Sequence, residues 1–110
     1  QVIAVTGDGG FQMSMNELGT IAANNLDLKI VLFNNSNLGM VREMQKKVFG
    51  HTSQTALIGN PDFQMLAKAY GISGIRVQSD DELESAFDQA LNHRGPFLVE
   101  CIVDPDESTL

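Results

Sequence analysis

Two apolar runs, Val2 to Val5 and, broken only by Lys29, Leu28 to Phe33, frame the first third of the chain, and between them apolar positions recur at helical intervals. Leu28 to Phe33 is too uniform for a strand with one wet face and suits a strand covered on both sides by helices. Strand, helix, strand in that order is a βαβ crossover, which sets both strands parallel in one sheet. The first run, Val2 to Thr6, stops at Gly7, Gly9 and Gly10, so a buried strand running into a tight loop is expected. Ser14 and Glu17 have capping-box spacing, and Met15, Leu18, Ile21 and Ala22 then mark a helix of about three turns ending near Asn24-Asn25.

The alternation continues. Leu38 to Phe49 reads as a helix with Met40, Val41, Met44 and Val48 apolar, and Gly50 to Pro61 as an irregular loop. Asp62 to Tyr70 reads as a helix with Phe63, Leu66, Ala67 and Tyr70 on one face, stopped by Gly71. A strand around Ile75 to Val77, a helix from Asp80 to about Asn92 and a strand from Phe97 to Val103 complete the pattern. The expected fold class is α/β, a three-layer parallel sheet flanked by helices. With 110 residues, 43% of them hydrophobic, residues 1–110 make one domain with one core. A start at Gln1, without Met and directly on an apolar run, reads as a chain cut from something longer.

The net charge of −7 comes from 14 carboxylates against 7 Lys plus Arg. Such a field repels a phosphate backbone, so no nucleic-acid partner is expected. No apolar stretch approaches the roughly 20 residues that span a bilayer, so no membrane role is expected. The run Asp80-Asp81-Glu82 suits the start of a helix, where negative charge favours the dipole. Cys101, the single cysteine, sits in an apolar run and reads as a buried thiol. His51 and His93 read as surface histidines, the methionines as core or pocket lining, and Arg42 with Lys46 as a solvated helix face or a contact for an anion.

The chemistry-bearing pattern is Gly7-Asp8-Gly9, then 24 residues, then Asn34-Asn35. A crossover of one helix and one strand consumes that length and places both motifs at carboxyl ends of parallel strands, the ligand-binding edge of open α/β sheets. Asp8 offers a carboxylate oxygen, Asn35 an amide oxygen, and the turn after it backbone carbonyls. These hard oxygen donors suit Mg²⁺ or Ca²⁺ and suit zinc poorly. Two or three protein oxygens leave an octahedral Mg²⁺ to be completed by phosphate oxygens and water, which implies a phosphorylated ligand. Gly9 and Gly10 permit close backbone approach to it, and Gly39 does so from the next helix. The glycine spacing is not G-x-G-x-x-G, and a P-loop is excluded by the lack of Gly-Lys-Ser/Thr. A Mg²⁺-dependent phosphotransferase or phosphohydrolase also wants an aspartate after a strand; a non-catalytic domain that docks to a partner is the third class.

The segments GDGGFQM and NNSNLGMVREMQ, at this spacing, resemble the thiamine diphosphate signature of the acetolactate synthase (acetohydroxyacid synthase) catalytic subunits, and NPDFQMLAKAYGISGIRV and GPFLVECIVDP resemble the end of their carboxy-terminal domain. The resemblance implies a thiamine diphosphate-binding fold, incomplete at its N-terminal side. It implies Mg²⁺ held by Asp8, Asn35 and the backbone carbonyl of Asn37, with Gly9, Gly10, Leu38, Gly39 and Met40 against the diphosphate or lining the cofactor. The reaction it implies is decarboxylation of pyruvate and ligation of the two-carbon unit to a second 2-keto acid in branched-chain amino acid biosynthesis. Gly39-Met40-Val41 with Gln45 favours this enzyme over pyruvate oxidase, glyoxylate carboligase or a 2-keto acid decarboxylase. Met44 stands where many relatives carry Trp, which bears on acceptor preference. The cofactor-activating glutamate of the family lies in an amino-terminal domain of a neighbouring subunit, so this chain alone is expected inactive, with a homodimer or larger assembly implied. The family also allows for FAD and a regulatory subunit, in the cytoplasm of bacteria or an organelle of eukaryotes.

Overall fold

A computed structural model describes residues 1–106 of the chain. Four strands, β1 (Val2–Gly7), β2 (Leu28–Asn34), β3 (Ser73–Val77) and β4 (Phe97–Ile102), form one sheet in the order β1-β2-β4-β3, each neighbouring pair parallel. Among the described residues five α-helices accompany them: α1 (Asp8–Ser14), α2 (Leu18–Ala23), α3 (Gly39–Phe49), α4 (Phe63–Ala69) and α5 (Leu83–Asn92). The expected parallel α/β sheet is therefore present.

Successive side chains on the two central strands point to opposite faces, so they supply two cores. Ile30, Leu32 and Leu98 pack with Phe11, Leu18, Ile21, Phe63 and Ala67 of α1, α2 and α4. Val31, Phe97, Val99 and Cys101 pack with Ala86 and Ala90 of α5. The rings of Phe11 and Phe63 meet edge to face at 5.6 Å, tying α1 to α4, a geometry worth about 0.5–1.5 kcal/mol beyond its burial. Lys29, inside the apolar run of β2, is 1% exposed. Its ammonium donates to Asp27 at 2.7 Å and to the carbonyls of His93 and Gly95, so all three protons are used.

Five expectations are corrected. The glycines after β1 are not a loop: α1 starts at Asp8, with Gly7 as its extended N-cap residue at φ −86° and ψ 164°. Ser14 and Glu17 form no capping box, because the chain is already helical at Asp8; the Ser14 hydroxyl instead donates back to the Gly10 carbonyl at 3.3 Å. The three-turn helix expected from Met15 to near Asn24 is instead the 3₁₀ turn Met15–Glu17 followed by the short α2, and α1 precedes it. A capping box does form at Ser79 and Glu82. The first strand is not buried: Val2, Ile3 and Val5 are 63%, 51% and 66% exposed, because β1 is an edge strand flanked by β2 alone. The methionines are not core either, since Met13, Met15, Met40, Met44 and Met65 all face outward.

Asp62 caps α4, its Oδ1 accepting from the N–H groups of Gln64 at 2.9 Å and Met65 at 3.1 Å and from Arg76 at 3.0 Å. The Met65 N–H first, then the Arg76 charge and the Gln64 N–H, hold its carboxyl below the ordinary aspartate value of 3.8. A carboxyl depressed by folding contributes stability that is full above its unfolded value and lost as pH falls through the folded one. In Asp62→Asn, which keeps a capping oxygen, the acid limb of the stability curve below about pH 4 should be shallower than in the native chain. Equal slopes in denaturant titrations between pH 2 and 5 would contradict this assignment.

Candidate functional site

The sheet register brings the two motifs level. Gly7 at the end of β1 pairs with Phe33, so Asp8 and Asn34 leave adjacent strands side by side. Phe33 pairs in turn with Cys101, and the Val103 N–H donates to the Asn34 carbonyl at 3.0 Å, which carries the stretch to Pro105 past the same edge. After β2 the chain reverses through Ser36, which holds a left-handed φ of 53°. The Asn35 side-chain oxygen accepts from the Asn37 N–H at 2.9 Å and closes this turn. Asn37 bridges Ala56, the Leu38 N–H donates to the Thr55 carbonyl at 2.8 Å, and the Leu57 N–H donates to the Ser36 carbonyl at 2.8 Å. The stretch 50–61, expected to be irregular, is thus laced to the Asn35–Leu38 turn.

Between these elements lies a cleft of about 560 Å³. Asp8, Gly9 and Gly10 of α1, Asn35, Asn37 and Leu38 of the turn, and Gly39 and Met40 of α3 all line it. All eight candidate residues therefore converge on one space. Phe33, Met13 and Pro105 add apolar wall, so Met13 and Met40 border the cleft, whereas Met15, Met44 and Met65 do not.

Asp8 is 2% exposed, yet no Lys or Arg bonds to its carboxylate among the described residues. Its Oδ1 accepts from the Gly9 N–H at 3.0 Å and its Oδ2 from Asn60 Nδ2 at 2.8 Å. Taking a carboxylate out of water is costly unless a cation or several donors compensate it, and these two neutral donors leave its charge open to a cation. No group of three His, Cys, Asp or Glu comes together among the described residues, so a cation here would draw its other oxygens from amides and backbone carbonyls. Gly9 and Gly39 make room for the side chains of the turn itself. A Cβ on Gly9 would lie 3.0 Å from Leu38 Cδ2, and one on Gly39 would lie 2.9 Å from Asn35 Nδ2. Buried carboxylate, amide oxygen, carbonyl-bearing turn and glycine-lined wall together suit a hard divalent cation carrying a phosphorylated ligand.

The remaining candidates lie elsewhere. Arg42 and Lys46 both bind Asp106, at 2.8 and 2.9 Å, which ties α3 to the stretch after β4 rather than leaving a solvated face. The Lys46 hydrogen bond, then the charges of Arg42 and Lys46, hold the Asp106 carboxyl below its ordinary value. His51 stacks on Phe49, and His93 meets Phe97 edge to face and is only half-exposed; neither lines the cleft. Cys101 is buried, and burial followed by the nearby Glu100 charge pushes its thiol up, away from nucleophilic use. Sequence reasoning missed Asn60, which bonds Asp8, and Glu100 behind it; Asn34, singled out with Asn35, lies between the two. A glutamate in the middle of the apolar run Phe97 to Val103 was the available signal; Asn60 in an irregular stretch offered none.

Residues 1–101 match the family model of the thiamine pyrophosphate enzyme C-terminal TPP binding domain, and the chain belongs to that family. Within it, the chain is similar to acetolactate synthase large subunits. It is 45% identical to the isozyme 2 large subunit of Escherichia coli over 97% of this chain and 20% of that protein. It is 42% identical to the large subunit of Cyanidium caldarium over 97% of this chain and 19% of that protein. Among solved structures, the thiamine diphosphate-dependent 4-hydroxybenzoylformate decarboxylase of Rhodococcus jostii superposes with a TM-score of 0.87 at 32% identity, over 98% of this chain and 20% of that one. The benzoylformate decarboxylase of Polynucleobacter necessarius superposes with a TM-score of 0.86 at 25% identity, again over 98% and 20%. The chain spans about a fifth of the length of these proteins. No helix among the described residues is long and apolar enough to cross a membrane.

Proposed function

We propose that these 110 residues form the Mg²⁺- and diphosphate-holding part of a longer acetolactate synthase catalytic subunit. The observation that supports this most is the convergence of Asp8, Gly9, Gly10, Asn35, Asn37, Leu38, Gly39 and Met40 on one cleft beside a buried carboxylate. In this reading the Asp8 carboxylate, the Asn35 amide oxygen and the Asn37 carbonyl hold Mg²⁺. Gly9, Gly10 and Gly39 let the backbone meet the diphosphate, while Leu38, Met40, Met13 and Phe33 keep water from the wall behind it.

Thiamine diphosphate, when bound, supplies decarboxylation of pyruvate and transfer of the two-carbon unit to a second 2-keto acid. The chain itself binds, orients and dries; it provides no catalytic acid or base. The activating glutamate belongs to another domain, so the chain by itself is expected to be inactive and to work with the missing N-terminal domains and a second catalytic subunit. Branched-chain amino acid synthesis, FAD and a regulatory subunit follow from the same reading as properties of the whole protein. The structural likeness to benzoylformate decarboxylases favours a second reading, a 2-keto acid decarboxylase. Product analysis of the complete subunit with pyruvate separates them: acetolactate is expected, and acetaldehyde without acetolactate would move the assignment to the decarboxylases.

Gly39→Ala gives a finer check. The new Cβ would sit 2.9 Å from Asn35 Nδ2, the far end of a side chain that can move, so folding tolerates it while a ligating group is displaced. The expected result is a melting temperature no lower than native, since alanine outranks glycine in helices by about 0.5–1 kcal/mol, with Mg²⁺ affinity down about tenfold or more. Unchanged Mg²⁺ affinity in calorimetric titration would remove Asn35 from the clamp.

A further inference from the structure

Behind the cleft an unbroken line of side-chain hydrogen bonds runs from the sheet interior to Asp8. It starts at Glu100 on the central strand β4, whose carboxylate is fully buried. Glu100 Oε2 accepts from Arg76 Nε at 2.8 Å and Gln64 Nε2 at 3.2 Å, while Oε1 accepts from Asn34 Nδ2 at 2.9 Å. The Asn34 side-chain oxygen, Oδ1, faces the other way, accepting from the Ser36 N–H at 3.1 Å and from Asn60 Nδ2 at 3.3 Å. The same Asn60 amino group donates to Asp8 Oδ2 at 2.8 Å, and the Asn60 carbonyl oxygen accepts from Gln12 Nε2 at 2.5 Å.

The direction of every amide in this line is forced. An ionised carboxylate only accepts, so Asn34 must turn its amino group to Glu100 and its carbonyl outward. Asn60 then meets that carbonyl on one side and the Asp8 carboxylate on the other, and its amino group, with two protons, satisfies both. Turning either amide over would set oxygen against oxygen. Asn60 does not line the cleft, so its influence on a ligand passes through Asp8.

We propose that Asn60 is the positioning residue of the cation clamp, holding Asp8 in its ligating orientation through an amide relay anchored on Glu100. The proposal rests on the reading of Asp8 as a Mg²⁺ ligand. Because the relay fixes the carboxylate before the cation arrives, binding does not have to order that side chain, and outer-shell partners of this kind set affinity as well as orientation. Asn34, the first residue of the paired asparagines, thereby acquires a role distinct from that of Asn35: it transmits the polarity of Glu100 to Asn60.

The test uses the complete subunit with thiamine diphosphate and Mn²⁺ as a spectroscopically visible substitute for Mg²⁺, free Mn²⁺ being counted by electron paramagnetic resonance. Asn60→Ala should weaken Mn²⁺ binding about 10–100-fold. Asn34→Ala should weaken it in the native background but change it by less than about twofold in Asn60→Ala, because the relay is already cut. A residue that merely stabilised the loop would lower the melting temperature without this coupling. If Asn60→Ala does not fold, Asn60→Ser, which keeps a hydroxyl donor, enters the same cycle with a smaller expected loss. Native Mn²⁺ affinity in either folded variant, or an Asn34→Ala effect that persists undiminished behind the Asn60 substitution, overturns the relay. Loss of Mn²⁺ binding in Asp8→Ala alongside native binding in Asn60→Ala would overturn the relay and leave the clamp standing; no Mn²⁺ binding by the native subunit overturns both.

Discussion

Asp8→Ala in the complete subunit should abolish Mg²⁺-dependent binding of thiamine diphosphate, with a loss exceeding the roughly 100-fold upper end seen when only an outer-shell partner is removed. The carboxylate is 2% exposed and held by two neutral donors, so in the ligand-free state it is a desolvated charge whose removal costs folding little. The effect should therefore appear in the difference between loaded and unloaded protein. Ligand at 100 times its dissociation constant adds about 2.7 kcal/mol to native stability, and this increment should vanish in Asp8→Ala. Retention of the full increment would remove Asp8 from the site.

Arg76→Ala is expected to be strongly destabilising although the residue lies away from the cleft. Glu100 is completely buried, and Arg76 Nε at 2.8 Å is the one cation bonded to it among the described residues. That hydrogen bond, followed by the charges of Glu100 and Asp62, raises the Arg76 guanidinium above its ordinary value. Removing the arginine leaves a buried carboxylate with only the Asn34 and Gln64 amides. Breaking a buried pair costs about 3–5 kcal/mol; since 35% of the Arg76 side chain is exposed, the lower end, about 3 kcal/mol, is expected. Denaturant unfolding measures it directly, and a loss below about 1 kcal/mol would mean the amides alone carry the charge. Arg76→Ala, Glu100→Gln double substitution should recover part of the loss, because the uncompensated charge is gone.

The layer order and the edge that carries the site were legible because apolar periodicity and crossover spacing are local signals. Leu28 to Phe33 read as a strand covered on both faces, and Lys29 to Leu32 are buried as that requires. Asp8 and Asn35 could be paired because 24 residues of βαβ leave little freedom in where they emerge. What failed was what depends on neighbours. Val2, Ile3 and Val5 look like a covered strand by composition, yet coverage is decided by what lies beyond β1. Ser14-x-x-Glu17 has capping spacing, but a cap needs a helix that has not already begun, and Asp8 starts one six residues earlier. Asn60 was illegible because its role comes from three contacts distant in sequence, with Gln12, Asp8 and Asn34.

The central claim is that the cleft at the carboxyl ends of β1 and β2 binds a diphosphate through a divalent cation. Calorimetric titration of the complete subunit with thiamine diphosphate and with thiamine, each with Mg²⁺ and with chelator in its place, tests it most directly. Binding of thiamine diphosphate that requires Mg²⁺, with no measurable binding of thiamine at the same concentrations, is the predicted result. Equal binding of the two compounds, or thiamine diphosphate binding that survives chelation undiminished, would contradict it.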